Sequence, residues 1–141
     1  MADNSTLAQI ASIIAGFGAA MLFFRIQREL EMSKMGEQIW LPYSDRLLIY
    51  ATLSSLFLVI FPMVIVKEDI AMVRDLIKAA CAASVVMLGG YIPGILAHYR
   101  LILGKSRRGP RDNPEPAEKT VVIITLLVAF LAFLVTFFGI F

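Results

Sequence analysis

Charge is scarce in this sequence. Acidic and basic residues make up 17 % of its 141 positions, against about 25 % in soluble domains. A disordered chain needs many charges and few apolar groups, so that class is excluded. The charges nearly balance, at a net +2, which excludes the strong basic field of a nucleic-acid-binding domain. Cysteine is almost absent. Cys81 stands alone and closes no internal disulfide, so a disulfide-stapled secreted module is excluded too. The single histidine, His98, cannot form a bis-histidine haem site.

What is abundant is apolar: 59 % of the chain. These residues fall in four runs long enough to cross ~30 Å of hydrocarbon as helices, which takes about 20 residues. The runs are 7–24, 47–66, 79–103 and 121–141, and 79–99 is the uncharged part of the third. Strands are excluded because a barrel strand alternates polar and apolar residues, and lipid leaves no unpaired backbone. The predicted fold is an all-α integral membrane protein, an antiparallel bundle of four transmembrane helices forming one domain over 1–141.

The first run is not read as a signal peptide. Met1–Thr6 carries Asp3 and no basic residue, whereas a signal peptide has a basic leader. Arg25, Arg28, Lys34 and Arg46 lie in loop 25–46, and Arg100, Lys105, Arg107, Arg108, Arg111 and Lys119 lie at or within loop 104–120. Lys67, Arg74 and Lys78 fall on the other side. The positive-inside bias places both basic loops in the cytoplasm and both termini outside. The expected location is a cell membrane, the inner membrane of a bacterium.

The loops carry local signals. Arg25–Glu29 and Glu31–Lys34 are helical pairs, so the first helix is predicted to continue two or three turns past the membrane and stop at Gly36. Trp40 and Tyr43 beside Pro42 read as an interfacial anchor, and Ser44 as an N-cap for the second helix. Ile70, Val73, Leu76 and Ile77 share a face, so the third helix begins with amphipathic turns. Three prolines between Gly109 and Pro116 interrupt any helix there. Asn113, Pro114 and Glu115 mark the start of the fourth helix. The basic half of that loop is a topogenic signal and a candidate contact for anionic lipid.

Helices in lipid associate by close packing over small residues. Ser12, Gly16 and Ala20, beside Ala11, Ala15 and Ala19, form one candidate face. Ala79, Ala83, Gly90, Gly94 and Ala97 form a second, and Thr125, Ala129, Ala132, Thr136 and Gly139 a third. Phe130, Phe133, Phe137 and Phe141 form a stripe facing lipid or packing. Pro93 predicts a kink or break in the third helix.

Candidate chemistry is sparse. The four apolar cores hold no charge, so the intramembrane acids and bases that mark transport or catalysis are not in evidence. The span-one glutamate that small multidrug transporters require is absent. His98 reads as an interfacial polar residue, with no acid near it in sequence. An intramembrane enzyme would need a second polar group within ~3 Å of His98 or Cys81. Cys81 and Ser84 read as small packing residues. The function expected from these residues is non-enzymatic, with no cofactor or metal. The chain would act by protein–protein or protein–lipid contacts, as an accessory subunit or a homo-oligomer. Arg25, Arg28, Arg107, Arg108 and Arg111 would dock anionic headgroups or an acidic partner. The alternative is a small channel or facilitator lined by Thr52, Ser55, Ser84 and Tyr91, hinged at Gly90 and Pro93.

Overall fold

The computed structural model describes residues 3–36, 42–65, 70–103 and 115–139. The described residues are helical with short turns and no strand. Four helices are long and apolar enough to cross a membrane: α1 (Asn4–Lys34), α2 (Asp45–Ile65), α3 (Ala71–His98) and α4 (Pro116–Phe137).

Helix α1 starts where Asp3 accepts a hydrogen bond from the Thr6 N–H at 2.8 Å. That bond holds the Asp3 carboxyl below its ordinary range. Its capping contribution is therefore present at neutral pH and fades only as pH falls through the lowered value. The helix runs 31 residues, about 47 Å at 1.5 Å per residue, well beyond a hydrocarbon thickness. It ends as the sequence predicts: Gly36 takes φ +73°, a conformation that favours a residue without Cβ.

Ser44 stands at the N-cap position of α2, as predicted, but is αR and makes no capping bond. Its hydroxyl is engaged elsewhere. Helix α4 begins at Pro116, directly after the start signal at Asn113–Glu115, and Glu115 at its N-cap makes no capping bond. Helix α3 runs unbroken through Pro93, so no break exists there. One missing N–H costs one hydrogen bond, and the turns on either side carry the helix on. The irregular stretch lies in α2 instead. Ser55–Ile60 is π-helical, and the Phe61 N–H bonds back to the Leu56 carbonyl. Pro62 follows directly. Its ring crowds the preceding turn, and wider i→i+5 turns give that ring room.

Two apolar clusters hold the helices together. One contains Ile14, Leu47, Ala51, Met87, Val122 and Ala129. The other contains Leu7, Ala11, Val59, Ile77, Ala80 and Cys81. Of the small-residue faces, that of α3 is buried at Ala79, Ala83, Gly94 and Ala97, and that of α4 at Thr125 and Ala129. Gly90 lies against the Thr125 side chain, so these two helices approach closely where both are small. The α1 face holds in part: Ala11 and Ala15 are buried, whereas Ser12, Gly16, Ala19 and Ala20 are exposed. Leu7, Ile14 and Gly18 complete the buried stripe, in which the bulky Leu7 and Ile14 bury more apolar area than serine or glycine would. Gly18 supplies the close approach, against Thr52. Phe133 and Phe137 stack at 5.8 Å, Phe130 is exposed, and Phe141 lies outside the described residues.

Candidate functional site

The polar residues converge at one end of the four helices. The centre is Glu118, in the first turn of α4 and fully buried. One carboxylate oxygen, Oε1, accepts from the Ser44 backbone N–H at 2.7 Å and the Ser44 hydroxyl at 2.9 Å. The other, Oε2, lies 2.9 Å from Nδ1 of His98, itself 1 % exposed. A carboxylate is an acceptor, so Nδ1 carries the proton in this contact. Three donors around one acid suit its ionised form. The approach to α2, the last residue of α3 and the first turn of α4 are thereby pinned to one side chain.

A glycine makes this possible. A Cβ on Gly94 would sit 2.7 Å from Ser44 Cβ, so only glycine lets the Ser44 segment reach Glu118 without displacement.

A second layer surrounds the centre. The Tyr99 ring stands edge-on to His98, with centroids 5.0 Å apart. Its hydroxyl accepts from Arg25 at 3.3 Å and Arg28 at 3.2 Å. Arg25 also pairs with Asp45 at 3.3 Å and faces Glu29 at 3.9 Å. After α3 the backbone turns through Arg100, at φ +56°, an uncommon conformation for a residue with a Cβ. Its guanidinium pairs with Glu115 at 2.8 Å, which ties this turn to the start of α4.

The structure adds two things to the sequence reading. His98, at the end of α3, is buried among the helices and has an acid partner. Glu118, within the bounds given for loop 104–120, lies in the first turn of the helix whose start is predicted at Asn113–Glu115, and is sealed within the packed helices. The sequence hid the pairing because twenty residues, including the proline-rich segment, separate the partners.

The geometry also meets the ~3 Å condition for a reactive pair at His98. Its wiring is not that of a nucleophile relay. The Ser44 hydroxyl donates to the acid, whereas an activated serine donates to the base. Among the described residues, no three His, Cys, Asp or Glu side chains lie close enough to hold a metal ion.

The remaining site residues are dispersed. Thr52 and Ser84 are buried, and each hydroxyl bonds back to a carbonyl of its own helix, Leu48 and Ala80, at 2.8 Å. Ser55 is buried in the π-helical stretch and its hydroxyl has no partner among the described residues. Tyr91 is buried, Gly90 packs on Thr125, and Pro93 is half-buried. Cys81 is buried in an apolar cluster. Arg25 is largely covered and Arg28 exposed. Arg107, Arg108, Arg111 and Trp40 lie outside the described residues. No family model matches the chain, nor does any curated protein or solved structure.

Proposed function

We propose that this chain is a four-pass, antiparallel integral membrane protein of non-enzymatic type, an accessory subunit or homo-oligomer of a bacterial cell membrane. It acts through contacts with membrane proteins and anionic lipid headgroups. Both termini lie outside, and loops 25–46 and 104–120 are cytoplasmic. The observation that carries this reading is the sealed Glu118–His98–Ser44 latch. It joins three chain segments at the end that the basic residues assign to the cytoplasm, and its acid and imidazole are closed to solvent. A buried polar network in which each member is hydrogen-bonded holds its segments in one arrangement. The outer faces support the membrane reading: Ile13, Phe17, Phe57 and Val64 are all exposed, a surface that suits lipid or another apolar chain.

Two measurements test the proposal. Tags at each terminus should react with impermeant reagents from outside the cell, and a tag in loop 104–120 only after permeabilisation. The reverse pattern would reject the orientation. For the contacts, the protein is held in phosphatidylcholine nanodiscs and mixed with anionic vesicles at low salt. Replacing Arg107, Arg108 and Arg111 with alanine should weaken co-sedimentation at least tenfold, since each cation near such a surface contributes about 1 kcal/mol. Undiminished binding would count against docking through these arginines.

A further inference from the structure

A groove of about 450 Å³ opens between the far part of α1 and the first turns of α2. Its floor is apolar, built by Leu22, Ile26, Leu30, Pro42 and Ile49, and Arg46 stands at its edge. The Arg46 guanidinium lies over the Tyr43 ring, 4.0 Å from its centroid. It is exposed and makes no ion pair among the described residues. The acids of the groove, Glu29 and Asp45, both face Arg25. Both carboxylates of the groove lining are thus taken up by Arg25, and Arg46 stands in that lining with no carboxylate partner among the described residues, its position fixed by a ring.

The height of the groove decides its occupant. Leu22 and Ile49 lie within the uncharged runs, and Ile26 and Leu30 lie beyond the first charge, Arg25. The cavity therefore crosses from hydrocarbon into the headgroup zone, which is several ångströms deep. A soluble partner helix has no access to the lower end, whereas an amphiphile fills both ends at once.

We infer that this groove holds one anionic phospholipid of the cytoplasmic leaflet. Its phosphate sits on Arg46, and an acyl chain descends along Leu22 and Ile49. The inference rests on the orientation proposed above and adds to it a defined lipid site.

The test is native mass spectrometry of the full chain, released from micelles containing equal phosphatidylglycerol and phosphatidylcholine of matched chain length. Wild type should retain a single phosphatidylglycerol. Arg46→Glu, which reverses the rim charge, should lower retention about tenfold. Ile49→Trp, which fills the floor and leaves every charge in place, should lower it comparably. Arg74→Ala, which removes an exposed cation at the other end of α3, should retain the lipid as wild type does. Equal retention of phosphatidylcholine overturns the charge assignment. Retention that survives both groove variants but disappears when Arg107, Arg108 and Arg111 are alanine overturns the groove and leaves the proposed function standing. Thermal unfolding of each variant separates loss of the site from loss of the fold, and Ile49→Phe replaces Ile49→Trp if tryptophan unfolds the protein.

Discussion

Glu118→Ala should destabilise the packed helices by about 3–5 kcal/mol, the range for removing one partner of a buried charged pair. The size follows from what remains. The Ser44 N–H and hydroxyl, both bonded to Oε1, lose their acceptor where no water reaches, and His98 loses its carboxylate. Each unsatisfied buried donor costs about 1–3 kcal/mol. Glu118→Gln keeps one carbonyl oxygen for Ser44 but turns an amide N–H₂ towards a donor, so its loss should be roughly half as large. The coupling is measurable as well. His98→Ala, Glu118→Ala and the double variant form a cycle whose interaction energy should fall within about 1–3 kcal/mol. Unfolding in detergent micelles, by chemical denaturant or by heat, reads all of these. A loss under 1 kcal/mol for Glu118→Ala would show that the latch is a passive neighbour of the packing.

Gly94→Ala and Gly89→Ala should move stability in opposite directions, although the two glycines share one helix. At Gly94 the new methyl lies 2.7 Å from Ser44 Cβ. Ser44 has little freedom to retreat, because its backbone N–H is held by Glu118. The strain of such overpacking is about 1–3 kcal/mol, and Gly94→Leu should exceed it. At Gly89 a Cβ meets nothing within 4 Å, and alanine is the better helix former by up to about 1 kcal/mol. A thermal shift of the same sign in both variants would contradict the close approach of Ser44 to α3.

Much of the fold was legible in the pattern of residues. Uninterrupted apolar runs located the four helices, paired charges carried α1 past its apolar core, and Gly36 marked its end. The α1 contact face was harder. Small residues recur there on adjacent azimuths, and spacing alone does not choose between Gly16 and Gly18. The π-helical stretch had one signal, Pro62. The latch also had a signal in plain view. Thr125 and Ala129 follow a step of four along the buried stripe of α4, and continuing that stripe backwards by three and four reaches Val122 and Glu118, both buried. What concealed Glu118 was its charge, since an acid in the first turn of a helix reads as a water-facing residue until a buried partner is known. His98 gives no sequence indication of its partner, because the pairing depends on how α3 and α4 dock. The small residue that sets that docking, Gly90, acts only through Thr125, a neighbour distant in sequence.

The wide turns of α2 bear on how this chain tolerates change in length. A loop closed by an i→i+5 bond contains one residue more than a loop of ordinary helix. A deletion between Ser55 and Ile60 can therefore be absorbed by tightening that bond, and both flanks keep their azimuth. In α3, where Ala79, Ala83, Gly94 and Ala97 all face neighbours, losing one residue would turn half of the helix by roughly 100°. Natural variants of this protein that differ by a single codon in the second span should place the gap over that stretch.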